Sequence, residues 1–119
     1  MIAAAMRTAA ALAGVALALT GAVALAAVPG NPAAGKKLFL AGTGPYRCGS
    51  CHTLKAAGSF SYVGPNLDAL KPAYAVIVRF VTSGHAPTAK YSTGMPGFSP
   101  AFSAKQISDV AAFVYGSTH

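Results

Sequence analysis

Apolar and polar positions divide the chain into an unbroken apolar lead and a remainder with helical periods. Thr8 to Val28 carries no charged side chain, and thirteen of the residues in Met1–Ala27 are Ala. After this lead the apolar positions recur every three or four residues. Ala33–Leu40 reads as a short helix in which Gly35 and Phe39, four apart, share a face and Lys36 and Lys37 point elsewhere. A second helix is predicted over Lys71–Val81, with Pro72 in its first turn and Tyr74, Ile77, Val78 and Val81 as its apolar face. The third has the strongest local signals. Ser103-Ala104-Lys105-Gln106 matches a capping box, Ile107, Val110, Ala111 and Val114 form one stripe, and Gly116 is placed to terminate it. Gly58–Asn66 reads as loop turning at Gly64-Pro65, and Gly84–Pro100, with three Gly and three Pro, has no period. No strand pair is evident, so the predicted class is all-α, three main helices joined by long loops.

The lead has the three parts of an export signal: Arg7 as the positive start, Ala9–Leu25 as the apolar run, and Ala24-Leu25-Ala26 as a small-x-small cleavage pattern. This predicts a signal peptide over 1–27 and one domain over 28–119. The alternative is a retained anchor, since an uncharged run of this length just spans a bilayer. Both place the domain outside the cytoplasm, in a periplasm or similar compartment, and the second would tether it to the membrane. The lead also accounts for much of the overall apolar fraction of 54%.

Charge then narrows the chemistry. The chain has nine Lys or Arg against two acids, Asp68 and Asp109, and no Glu. Paired-carboxylate hydrolysis and a carboxylate cage for calcium or magnesium are therefore excluded. The predicted domain is also small, about 92 residues, and its loops take nearly half of it. Short helices are marginal alone and small domains bury too small a fraction of their surface, so the core needs a further component. The two Cys can supply it.

They stand in Cys48-Gly-Ser-Cys51-His52, the attachment pattern of c-type haem, in which two thiols add to the vinyl groups of one haem and the adjacent His ligates the iron. Three other readings compete. A thioredoxin-like pair needs a strand before it and a βαβ context, which is not visible. A zinc site from Cys48, Cys51 and either His52 or His85 is one ligand short of the usual structural four. A Cys48–Cys51 disulfide would close a very small loop and stabilise little.

Over Ala33 to Tyr115 the chain resembles the class I monohaem cytochromes c of bacteria and mitochondria. The haem pattern near the start of the domain, Gly64-Pro65-Asn66-Leu67 after it, and Gly94-Met95-Pro96-Gly97-Phe98 in the last long loop carry the resemblance. It implies one haem c, thioether-linked through Cys48 and Cys51, with His52 and Met95 as iron ligands. It further implies that the Pro65 carbonyl accepts the His52 Nδ1–H, that Leu67 packs on the haem, and that Gly35 and Phe113 let the first and last helices cross with Phe39 beside them. Met95 is also the only Met after the lead, and it lies in a loop instead of on a helical stripe. His85, ten residues earlier, is the rival sixth ligand. One departure is a longer segment, Leu40 to Arg47, between Phe39 and Cys48, expected to bulge at or beside the haem crevice.

With both axial positions filled, the expected function is single-electron transfer between extracytoplasmic partners. Tyr46, Phe60, Tyr62, Tyr91 and Phe98 are candidates to line or flank the exposed edge, and Lys55 and Lys90 to rim it. A cationic carrier suits redox partners with acidic docking surfaces, such as a membrane cytochrome complex, an oxidase, a reaction centre or a dehydrogenase, met as a monomer in fast, salt-sensitive encounters. A peroxidase or gas sensor would need a displaceable sixth ligand, and a haem domain of a larger oxidoreductase complex would have the same fold with a permanent partner. No nucleic-acid-binding module appears.

Overall fold

The computed structural model describes Gly14, residues 27–42 and residues 46–119. Apart from Gly14 and Ala27, the export lead, with its cleavage pattern, lies outside the described residues, as do Thr43, Gly44 and Pro45 of the longer segment before Cys48. The elements are α1 (Pro32–Ala41), α2 (Cys48–Cys51), a 3-10 turn (Lys55–Ala57), α3 (Leu67–Leu70), α4 (Tyr74–Ser83) and α5 (Ala104–Thr118). Among the described residues there is no strand; isolated bridges join Leu54 with Ser59 and His85 with Met95. The all-α architecture with three main helices is the expected one, and it corresponds to a class I cytochrome c fold.

The central contact is the crossing of α1 over α5. Asn31 caps α1, its side chain accepting from the Ala33 and Ala34 N–H groups at 3.0 and 3.2 Å, with Pro32 in the first turn. At Gly35 the helices meet so closely that a Cβ would run into the Asp109 carbonyl and lie 2.9 Å from the Phe113 Cβ. That approach brings Phe39 edge-on to Phe113, with centroids 5.8 Å apart. Phe39, Leu54 and Val110 are the largest side chains sealed completely from solvent. Helix α4 lies on α5 through Ile77 and Val81, both buried, with Tyr74 and Val78 half-buried beside them. The four-position apolar face read from the sequence is thus the face that packs. The Phe98 and Phe102 rings stack at 5.2 Å where the last loop enters α5.

Two boundaries differ from those expected. Helix α4 begins at Tyr74, not Lys71, because Lys71 is the C-cap of a short preceding helix, α3, and Pro72 and Ala73 link the two. Asn66 caps α3 by accepting from the Ala69 N–H at 3.2 Å, and Lys71 ends it in the left-handed region at φ 47°. Pro72 disfavours right-handed helical geometry in the residue before it, so it separates two helices instead of opening one. Helix α5 does not stop at Gly116 but continues to Thr118. The Ser117 and Thr118 hydroxyls bond back to the Phe113 and Val114 carbonyls at 2.6 and 3.0 Å. The buried Thr118 anchors this turn, which offsets the roughly 1 kcal/mol helical cost of a glycine.

Asp109 is the one buried carboxylate among the described residues, 3% exposed. It accepts from the Asn31 N–H at 2.8 Å and from Lys105 Nζ at 2.9 Å. The Asn31 bond, followed by the Lys105 contact, holds its pKa below the ordinary 3.8. Its contribution to stability is therefore complete above the unfolded-state carboxylate pKa and is lost as pH falls through the lower folded value. Thermal melts of the native protein from pH 6 downward should show an acid-side loss starting below about pH 4. Asp109→Asn should melt lower at neutral pH and lose less between neutral and acid pH than the parent; parallel curves would exclude this assignment.

Candidate functional site

Helix α2 is a single turn. The His52 N–H closes it onto the Cys48 carbonyl at 3.0 Å, and Cys48 and Cys51, three apart, lie on neighbouring positions of its surface. His52 then leaves the helix in an extended conformation, φ −115° and ψ 138°. Both cysteines are free thiols, Cys48 buried and Cys51 half-buried. Burial is the main cause that pushes the Cys48 thiol up to about 11. It is therefore a neutral group at ordinary pH, unlike a thiolate poised for metal binding or disulfide exchange.

The His52 ring is oriented by one bond: its Nδ1 lies 2.7 Å from the Pro65 carbonyl oxygen. A carbonyl only accepts, so the proton is on Nδ1, and in the neutral ring Nε2 keeps its lone pair. Burial moves the His52 pKa below its usual value, partly opposed by the Pro65 bond, and so favours this neutral form.

The chain that brings Pro65 into place is held by hydroxyl groups. Thr53 Oγ1 donates to the Ser61 carbonyl at 2.9 Å and accepts from the Ser61 N–H at 3.0 Å. Ser59 Oγ donates to the His52 carbonyl at 3.0 Å, and Ser61 Oγ to the Ser50 carbonyl at 2.9 Å. The Gly64 N–H closes the loop on the Cys51 carbonyl at 2.7 Å. These three hydroxyl residues escaped sequence reasoning because they follow no helical or strand period. The usable signal was the need of an irregular segment around a buried motif to satisfy its backbone groups locally.

Cys48, Cys51 and His52 face a cavity of about 360 Å³. Its walls are overwhelmingly apolar: Phe39 from α1, Pro65 and Leu67 beside the His52 tie, Ile77 and Val81 from α4, Val110 and Val114 from α5, and Met95 and Phe98 from the last loop. The structure thus brings all six expected residues, Cys48, Cys51, His52, Pro65, Leu67 and Met95, to one cavity. Met95 is half-buried, and His85 lies on the same wall with its ring edge-on to Phe80 at 5.0 Å.

The flanking residues divide. Tyr46, Tyr91 and Phe98 line the cavity, as does Arg47 from the longer segment. Phe60 and Tyr62 do not: they are 75% and 98% exposed on the loop that carries Ser59 and Ser61, whose hydroxyl bonds turn their neighbours outward. Lys90 does not line the cavity; its Nζ sits 5.5 Å from the centroid of the Tyr91 ring, which does. Lys55 is exposed, its backbone N–H bonded to Asp68 at 2.9 Å. Among the described residues no three His, Cys, Asp or Glu side chains come together as a metal site.

Residues 30–114 match the family described as cytochrome c oxidase, cbb3-type, subunit III. A solved structure, that of the c-type cytochrome SorU from Sinorhizobium meliloti, is 34% identical and superposes with a TM-score of 0.61, covering 72% of this chain and 88% of that one. No significant match is found among curated proteins.

Thr53→Val keeps the shape of the Thr53 side chain and removes both of its bonds to Ser61. It should cost about 1–3 kcal/mol of unfolding free energy in a denaturant melt. An unchanged midpoint would show that the hydroxyl clamp is dispensable.

Proposed function

Because the chain belongs to the c-type cytochrome family described as cytochrome c oxidase, cbb3-type, subunit III, we propose that it carries single electrons through a haem c linked to Cys48 and Cys51 and ligated by His52 and Met95. Electron-transfer cytochrome function follows from the family; the ligand set is the reading offered here. The observation that carries it is the convergence of two free thiols, an imidazole with Nδ1 committed to the Pro65 carbonyl, and a thioether on one apolar cavity. That set fits a haem better than a hydrated metal ion. The cavity volume lies in the range of cofactor sites, the walls suit a flat apolar macrocycle, and the thiols are placed for covalent attachment.

When bound, the haem supplies a one-electron Fe(II)/Fe(III) couple. The protein's part is to hold and tune it. His52 presents a fixed Nε2 lone pair, because the Pro65 carbonyl sets both tautomer and ring angle. Met95 offers a soft thioether that favours the ferrous state and raises the potential relative to a second imidazole. Leu67, Ile77, Val81, Val110 and Val114 keep water from the cavity and so disfavour the extra positive charge of the oxidised form. Arg47 and Lys90 give the cavity border a positive character suited to an acidic redox partner. Residues 1–27 are read as an export signal and 28–119 as the domain that works outside the cytoplasm, meeting membrane redox complexes there.

The family description favours one second reading, a haem subunit held permanently in a larger membrane oxidoreductase. Native mass separates the two, since a free carrier elutes as a monomer and a subunit co-purifies with its complex. For the ligand set, absorption spectra of the native protein should show haem retained after acid–acetone extraction. The ferric form should show the weak long-wavelength band of thioether ligation. Absence of that band, together with tight carbon monoxide binding by the ferrous protein, would instead mean an open or displaceable sixth site.

A further inference from the structure

His85 and Met95 are neighbours in a two-rung ladder. The His85 N–H donates to the Met95 carbonyl and the Met95 N–H to the His85 carbonyl, both at 2.9 Å. In an antiparallel pair that exchanges both bonds, the two side chains leave on the same face with Cβ atoms about 5 Å apart. Both residues line the haem cavity. Each follows a glycine of positive φ, Gly84 at 75° and Gly94 at 70°. A Cβ on Gly84 would strike the Met95 carbonyl, so glycine at this position is what lets the two segments pair.

His85 also has the right chemistry. Its Nδ1 lies 2.7 Å from the Ala86 carbonyl, which can only accept, so the neutral ring carries its proton there and Nε2 keeps a lone pair. This is the arrangement found at His52. The ring is exposed, resting edge-on against Phe80, and is not packed into the core. Exposed side chains of this kind exchange rotamers on the picosecond to nanosecond scale, so reaching the position held by Met95 needs no change of fold.

We infer that His85 is a reserve iron ligand, taking the sixth position when the Met95 thioether leaves it. The inference rests on the His52/Met95 reading. The exchange breaks one iron–sulfur bond and forms one iron–nitrogen bond, and with the neutral ring, whose proton is on Nδ1, it moves neither an electron nor a proton. Thioether favours Fe(II) and imidazole favours Fe(III), so oxidation tilts the balance toward His85 and reduction restores Met95. The site then protects the iron from small external ligands even when Met95 is lost.

The test uses the haem-loaded protein in four forms: wild type, Met95→Ala, Met95→Leu, and Met95→Ala combined with His85→Ala. Ferric absorption and electron paramagnetic resonance spectra report the ligands, and titration with free imidazole reports access to the iron. Wild type should show the thioether band. Met95→Ala and Met95→Leu should lose it yet stay low-spin with two nitrogen ligands, whereas the double variant turns high-spin. If His85 occupies the iron in about nine molecules of ten, Met95→Ala should bind imidazole about tenfold more weakly than the double variant. Met95→Leu guards against a Met95→Ala protein that does not retain its fold. High-spin spectra in both single variants, with imidazole affinity equal to that of the double variant, overturn the inference and leave the Met95 reading standing. A wild type already lacking the thioether band overturns the Met95 reading and with it the reserve role.

Discussion

The hydrogen bond from His52 Nδ1 to the Pro65 carbonyl is the constraint around which the cofactor side of the molecule is organised. It joins the helical turn that carries the thiols to the loop that follows, and it decides which imidazole nitrogen faces the cavity. The loop can deliver Pro65 only because Thr53, Ser59 and Ser61 satisfy the backbone around it. A rigid ring with a committed proton is better preorganised than one that must choose its tautomer on binding. The same bond accounts for the extended conformation of His52 directly after α2, since a further helical turn would carry the ring away from Pro65.

On the other side, α1 and α5 form the scaffold. Their close crossing at Gly35 and the edge-on Phe39–Phe113 pair leave little room for adjustment, so the walls given by Phe39, Val110 and Val114 are stiff. Helix α4 and the Met95 loop close the remaining walls. The cavity lies where every main helix contributes an apolar side chain, which in a domain this small is the place a core would occupy. A haem bound there would be a packing component as much as a redox one.

Much of this was legible in the sequence because it depends on local spacing. The Cys48–His52 pattern, the capping box at Ser103 and the apolar stripe of α5 are short-range signals; the capping box forms, the stripe is buried, and Cys48, Cys51 and His52 face one cavity. Helix ends were less legible. Pro72 is compatible with a first turn, and only the capture of Lys71 by the preceding helix shows that it acts as a separator. Gly116 has the look of a terminator, and only the burial of Thr118 overrides it. Phe60 and Tyr62 could not be excluded from the cavity by spacing, because the hydroxyl bonds that turn their loop outward join residues up to eleven positions apart. The pairing of His85 with Met95 likewise spans an aperiodic loop, where period-based reading has nothing to work on.

The contacts of the segment entering α1 bear on how the chain can be processed. Asp109 holds the Asn31 N–H, and the Tyr74 hydroxyl holds the Pro29 carbonyl at 2.9 Å. One helix at the back of the fold and one at its side therefore grip the chain just before it becomes helical. A protease that removes everything up to Ala27 leaves both grips whole. One that cuts a few residues later releases the Tyr74 hydroxyl and then strips a buried carboxylate of its backbone donor. The contacts that a cut must spare therefore begin at the Pro29 carbonyl and continue at the Asn31 N–H.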